Sequence, residues 1–420
     1  MIAQGTMNKN YRTMAVIFLM VCFLTIISLI SGNGLEHLFG LIITPNSAPV
    51  IPSSSSSGPE LTANDSGITE LKVGAATLDL IPLDSTTKFT LPGYGQNSSD
   101  GVHDPITVRS VVVDDGKEKV VFVSVDLVFS DYSFPNTGPV ADTIIKETGI
   151  SPDNIFVSAT HSHAAPASVP NLSELISKSI IKANSELQPA QAYIDAGFLK
   201  TRTENRRNPE RTPDGAVTTI RFINSRNKCI ATIVNFAVHP VILGPNNKLI
   251  SADFVYYMRQ KLEESNGGIA IYFNRHAGDI NPPGGWNRSG GTFGQAEEFG
   301  LSLAEDILSL QSWTNRINIK IKVYTKRLGW VPKISIIDLG EAQILTIPGE
   351  SLSSFGNQVD ALLNSKYKLF FSLTDGYIGY IVPKSEWGKC TSTWTSSCYE
   401  ETHSEKVLAD ELLKEYRTLR

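Results

Sequence analysis

The sequence predicts an α/β fold of mixed α+β type, a single large domain running over residues 68–420. Three observations predict it. From Ile68 onward, apolar runs of strand length alternate with segments of helical spacing, no stretch repeats another, and the 420 residues are 41% hydrophobic and only 19% charged, enough for a sizeable core. The strand runs are residues 108–113, 120–125, 155–159, 217–223, 230–236, 269–273, 317–323, 344–347 and 368–373, rich in Val, Ile and Phe and bounded by Gly, Pro, Asn and Asp. Apolar residues at helical spacing mark 172–187, 253–264, 296–310, 352–363 and 405–419.

The N-terminal part has a different composition. Residues 14–30 are an uncharged apolar run, preceded by Lys9 and Arg12 and followed by Ser31-Gly32-Asn33-Gly34. Cations ahead of such a run favour export of the chain beyond it, and its length is near the short limit for a membrane-spanning helix. No small-x-small cleavage site closes it, so residues 1–45 are read as a signal-anchor or transmembrane region, a cleaved signal peptide being the alternative. Residues 46–67, which include the serines at 53–57, are a Ser/Pro-rich linker. The domain is thus expected outside the cytoplasm, membrane-anchored, or secreted if the segment is cut. Cys390 and Cys398 stand close together in a polar stretch and suit a disulfide in that compartment, whereas Cys229 lies in a strand pattern as a small hydrophobe. The formal net charge of -5, from 37 basic and 42 acidic residues with no long basic run, argues against a nucleic-acid partner.

Thr160-His161-Ser162-His163 comes after the run 155–159, where a buried strand gives way to a loop. In an extended chain, side chains two apart share a face, so His161 and His163 converge on one point and suit a metal or a proton-transfer pair. Two polar residues closing a strand is the plainer alternative. Further candidates stand after other strand runs, where α/β sheets gather their sites. His239 comes after 230–236, Glu350 after 344–347 in Pro348-Gly349-Glu350, and Tyr380 closes Gly376-Tyr377-Ile378-Gly379-Tyr380 after 368–373. With His161 these offer two imidazoles, a carboxylate and a phenol, a ligand set suited to zinc. Taken singly, His239 reads as a hydrogen-bonded strand end, Glu350 as a helix N-terminal acid and Tyr380 as half-buried packing. Their shared position at strand ends favours a site. The Gly- and Pro-rich stretch 274–285, straight after the strand 269–273, forms a rigid loop whose amides are able to face a substrate oxyanion.

These residues spell a known pattern. The chain resembles the catalytic domain of the neutral, non-lysosomal ceramidases, in order across nearly the whole body: Val73-Gly74-Ala75-Ala76 with residues 79–82, Gly93-Tyr94-Gly95, Gly101-Val102-His103 with Arg109, residues 158–166 around Thr160-His161-Ser162-His163, residues 236–239, 277–282, Pro348-Gly349-Glu350, Gly376 to Tyr380, and Cys398-Tyr399-Glu400. The resemblance implies zinc bound by His161, His239, Glu350 and Tyr380, with His163 beside the metal. It also implies an Asn205-Arg206 pair that contacts substrate, and Tyr399 as a second active-site tyrosine. Two departures stand out. Asn281 occupies the place of a family serine, and a carboxamide forms no acyl-enzyme. The resemblance also stops short of the immunoglobulin-like C-terminal domain of those enzymes.

The expected activity is zinc-dependent hydrolysis of an N-acyl amide bond, on an N-acylsphingosine-like lipid or another small amide, by metal-activated water rather than a protein nucleophile. His163 would move the proton, and Tyr399, Arg206 and Asn281 would steady the oxyanion. Two alternatives share the fold: a zinc-dependent hydrolase of a non-lipid amide or ester, and a catalytically silent zinc-binding surface protein, which the Asn281 replacement favours.

Overall fold

Two sheets lie face to face with helices on both outer sides. The computed structural model describes residues 70–95, 97–129, 138–284, 290–329, 331–389 and 408–419. The apolar segment 14–30, the linker, Cys390, Cys398 and Tyr399 lie outside them. Among the described residues, no helix is long and apolar enough to cross a membrane.

The larger sheet comprises β1 (Lys72–Asp79), β2 (Thr107–Asp114), β3 (Lys119–Val125), β4 (Ile155–Ala159), β5 (Gln188–Phe198), β6 (Ala216–Asn224), β7 (Cys229–Phe236) and β8 (Ile269–Asn274), with the short β9 (Arg316–Ile317). Its order is β8-β7-β6-β5-β1-β2-β3-β4, and β9 pairs with β5. The pairs β3–β4 and β7–β8 are parallel, the others antiparallel. Hydrogen bonding between β1 and β5 is confined to Lys72 and Val73 against Pro189 and Gln188, so the sheet has two wings, β1–β4 and β5–β8. The free edge of the second wing comes back to the first: Ser124 Oγ donates to the Tyr272 carbonyl (2.9 Å), and Asn274 Nδ2 donates to that of Thr160 (2.7 Å).

The smaller sheet, β10 (Lys322–Leu328), β11 (Val331–Asp338), β12 (Ala342–Ile347) and β14 (Tyr367–Ser372), runs in that order and ends in a parallel β12–β14 pair. Two-residue strands β13 (Glu350–Ser351) and β15 (Tyr380–Ile381) continue from β12 and β14 and pair in parallel. Val73, Val111, Phe122, Ile194, Ile220, Ile233 and Phe273 of the large sheet share one core with Ile337, Ile344, Leu369 and Phe371 of the small one. Phe273 and Phe371 stack at 3.9 Å between centroids. Helices α1 (Pro139–Thr148) and α2 (Leu172–Ser185) cover the outer face of the first wing, and α3 (Phe254–Asn266) and α4 (Phe293–Leu310) that of the second. Helices α5 (Ser353–Asp360) and α6 (Leu408–Arg417) cover the small sheet.

The mixed α/β reading therefore holds, with differences of physical origin. The run 317–323 is not one strand. Ile317 pairs with the large sheet and Lys322 opens β10 of the small one, while Ile319 and Ile321 keep a period of two because the crossing chain lies against the shared core. The reading also omits α1, which begins with a proline inside the helix and ends at Gly149 in the left-handed region, and β5, whose Gln, Pro and Ala residues dilute its pattern although Ala192 and Ile194 are buried.

A buried ion pair fixes the first wing to α3. Arg259 donates to both oxygens of Asp126 (2.8 and 2.7 Å), which also accept from the Thr107 amide and hydroxyl and from Thr160 Oγ1. Replacing Arg259 by Ala leaves a buried carboxylate without its partner, so R259A is expected to lose about 3–5 kcal/mol, read as a lower urea midpoint.

Candidate functional site

Strand ends from both sheets meet at one point. β4 runs into His161, β7 into His239, β12 into Glu350 and β14 into Tyr380, and backbone bonds lock these ends together. Ala159 N donates to Leu373 O (3.1 Å), Leu373 N to Gly349 O (3.2 Å) and Glu350 N to Gly379 O (2.9 Å).

His161 and His163 do converge, with Nε2 atoms 3.4 Å apart, but not through extended alternation. The strand ends at Ala159, and His161 takes φ 67°, in the left-handed region that non-glycine residues seldom occupy. Backbone contacts hold that turn: His161 N donates to Leu127 O and Thr160 N to Val125 O. Behind the ring, Nδ1 donates to the Val128 carbonyl at 2.5 Å. His239 Nδ1 likewise faces the Ile280 carbonyl at 3.2 Å. These partners assign the Nδ1–H tautomer to both rings and turn both Nε2 lone pairs toward the cluster.

Glu350 lies between them. Its Oε2 is 2.9 Å from His239 Nε2 and 3.3 Å from His161 Nε2, and Oε1 accepts from the Tyr377 hydroxyl at 2.6 Å. Arg206 donates to the Tyr380 hydroxyl (2.7 Å) and twice to the Gly278 carbonyl, and its Nη2 is 3.4 Å from His239 Nε2 and 3.7 Å from Glu350. His161, His239, Glu350 and Tyr380 are all buried.

With the lone pairs of two neutral imidazoles pointed at a carboxylate oxygen, the arrangement is repulsive unless a cation or a further proton lies between them. Three imidazole nitrogens, of His161, His163 and His239, lie within 4.8 Å of one another, so His163 belongs to the same cluster. The donor set, imidazoles with a carboxylate and a neighbouring phenol, fits zinc. The electrostatics agree. Burial and the Arg206 charge push His239 down to about 4. Burial, with His161 and His239 alongside, holds His163 well below the usual imidazole range. Burial alone would raise the Glu350 carboxyl, but His161 and His239 outweigh it and draw it well below the carboxylate range.

The remaining candidates divide. Asn205 is committed to the loop: Nδ2 donates to Asp279 (2.8 Å) and Oδ1 accepts from the Arg207 and Asn208 amides. Asn281 is buried and neither atom of its carboxamide has a partner; it stands one residue beyond the Ile280 carbonyl that holds His239. Tyr377 and Gly93 carry roles the sequence reading did not assign. Tyr377 orients Glu350, and a Cβ on Gly93 would lie 2.5 Å from Cβ and Cγ of His163. Tyr94, next along, sets its ring edge against His163 at 4.9 Å. The only signal for either was membership of a Gly- and Tyr-rich stretch.

No family model matches the chain. Individual relatives do. Neutral ceramidase B of Dictyostelium discoideum is 24% identical over 262 residues, 52% of this chain and 36% of that protein. The Drosophila pseudoobscura neutral ceramidase is 22% identical over 256 residues, 50% of this chain and 36% of its own, and that of Pseudomonas aeruginosa 24% over 228, 45% and 34%. The crystal structure of the Pseudomonas aeruginosa enzyme superposes with a TM-score of 0.69 over 85% of this chain and 74% of that one, at 15% identity. The chain is similar to the neutral ceramidases. A second solved structure, a ceramidase complexed with C2, gives a TM-score of 0.67 at 14% identity, over 84% of this chain and 75% of that one. The structural likeness establishes a neutral ceramidase-like fold; in sequence, the matches span about a third of the length of the curated relatives.

The metal-free protein carries a pH signature of this cluster. The unfolded chain titrates His239 near the ordinary value of 6.5 and the folded chain near 4, so folded stability falls as pH drops through that window. The shift amounts to about 3 kcal/mol. Urea unfolding at pH 7 and pH 4.5 is expected to show a smaller difference in His239→Gln than in the parent; an unchanged difference would contradict the assignment.

Proposed function

We propose that this chain is a zinc-dependent hydrolase of an N-acyl amide bond, with a lipid amide as the leading substrate class. What carries the reading is the meeting of His161 and His239 Nε2 with Glu350, backed on their far sides by carbonyls and flanked by Tyr380 and Arg206. The neutral ceramidase relatives support the amide class.

His161, His239, Glu350 and Tyr380 would hold the zinc, with His163 beside it; bound there, zinc supplies Lewis acidity toward an acyl carbonyl and lowers the pKa of water toward about 7. His163, its Nε2 in the cluster and its Nδ1 without a partner, would take the proton from the attacking water and return it to the leaving nitrogen. Water then adds across the C–N bond to give a carboxylic acid and an amine. Arg206 brings a buried guanidinium to the same place. Burial opposes its charge, but Tyr380 and Glu350 outweigh burial and raise its pKa further, so it stays cationic and able to balance a developing oxyanion. Asn281 adds an N–H donor, and Tyr399 joins by resemblance. Asn281 also removes the hydroxyl a covalent route would need.

The apolar run 14–30 and the Ser/Pro-rich linker support an extracytoplasmic domain tethered to the membrane, or a secreted one, which suits a lipid substrate. Asn281 supports a second reading as well, a zinc-binding surface protein without turnover.

Zinc content and acyl release from a long-chain N-acyl amino alcohol, beside a short amide and the matched ester, test these readings in the full chain. His161→Ala and His239→Ala are each expected to abolish stoichiometric zinc and to lower amide turnover at least about a thousandfold. Zinc retained in both variants would remove the metal assignment. Stoichiometric zinc with no turnover on any acyl substrate would select the silent surface protein, and faster turnover of the ester or the short amide would select a non-lipid substrate.

A further inference from the structure

The loop just beyond His239 is held from beneath by a side chain outside the cluster. Asp253, buried at the head of α3, accepts from the Leu243 amide through Oδ2 (3.0 Å) and from the Phe254 amide through Oδ1 (2.7 Å). Its backbone has φ 55° and ψ -148°, a conformation that costs energy in any residue but glycine. The carbonyls of the loop it holds face the histidine pair: Pro240 O accepts from His163 N (3.2 Å), and Val241 O accepts from the Tyr94 hydroxyl (3.2 Å), whose ring edge rests on His163. Ser251 completes the clamp from the other side. Its amide donates to Ala164 O and its carbonyl accepts from Ser162 Oγ, while its hydroxyl accepts from Asp253 N.

We propose that Asp253 is a positioning residue whose ionised carboxylate locks loop 240–243 to α3 and thereby holds His163 in register with His239. It touches no reacting group and acts only through the loop. The inference rests on the hydrolase reading for its effect on turnover, but the clamp itself is a property of the fold.

The carboxylate accepts from both amides at once, whereas a carboxamide in its place turns N–H groups toward one of them. Burial raises the Asp253 carboxyl to about 6, and the amides of Leu243, Phe254 and Ile242 only partly offset this. The charged and titratable groups around it are few. Asp104 faces it across Ser251, whose hydroxyl donates to Asp104 Oδ2 at 2.5 Å, and raises it further. Asp104 in turn is met by His103 Nδ1 at 2.8 Å and by the Tyr257 hydroxyl at 3.3 Å. Tyr94 lies on the loop side, its own pKa raised by burial and by Asp253. The folded state holds the Asp253 proton more tightly than the unfolded chain does. Its contribution to stability therefore grows as pH falls through about 6, and the clamp of two accepting oxygens is the ionised form found above that range.

Two measurements on the full chain decide the point. Amide exchange over residues 241–244 at pH 7.5 is expected to be about tenfold faster in Asp253→Asn than in the parent. At pH 7.5 the kcat of Asp253→Asn on an N-acyl amide is expected to fall about tenfold with KM unchanged. Parent-like exchange in Asp253→Asn, or a rise in KM with kcat unmoved, would overturn the proposal. Should that variant not fold, Asp253→Ser, which keeps one side-chain acceptor at the helix start, carries the comparison, and parent-like exchange in it is equally fatal. An absence of turnover would count against the hydrolase reading and leave exchange to decide the clamp.

Discussion

The Glu350 carboxylate, shared between two imidazoles that arrive from different strands, is the contact around which this protein is arranged. It reaches His161 at the end of one wing and His239 at the end of the other, while its own strand extends the second sheet. A charge buried this deeply is tolerated only with partners on every side, and the alternative is a penalty of several kcal/mol. The relative setting of the two sheets is thus not free. The antiparallel bridge between Ser158 and Thr374 and the amide bonds of Ala159, Leu373 and Glu350 fix it to within a hydrogen-bond length.

The legible and the hidden parts of the fold divide by locality. β4 is read to its last residue because all five side chains of Ile155–Ala159 are buried, and a continuous apolar run bounded by polar residues has few other interpretations. Gln188–Phe198 is an eleven-residue strand at the junction of the wings, yet only Ala192, Ile194 and Asp195 are buried, and Pro189 interrupts the signal. Val331–Asp338 escaped for another reason: Ser335 and Lys333 are buried inside it, their side chains satisfied by the Thr325 hydroxyl and by the carbonyls of Pro152 and Ile155, partners that no local window contains.

The candidate site was legible to the same extent. His161, His239, Glu350 and Tyr380 each stand after an apolar strand, so their positions were visible before any contact was. Their convergence depends on features with no sequence signature. His161 turns inward through a positive φ that its residue type does not announce, and Asp253 accepts from the loop beyond His239 at a helix start marked in the sequence by helical spacing alone. Asn281 was singled out by its residue type, but only the structure shows its carboxamide buried and unpartnered.

The narrow seam between β1 and β5 has a consequence for how the site comes into being. Two residue pairs are all that join the wings along the sheet, whereas each wing is internally stitched by long antiparallel ladders between neighbours in sequence. Such units are able to form early and separately, since their contacts are local. The cluster is not local: its imidazoles, carboxylate and phenol come from both wings and from the second sheet. A chain with every wing native but undocked would carry all of these side chains without bringing His161, His239 and Glu350 together. The meeting of these groups is therefore a report that assembly has finished.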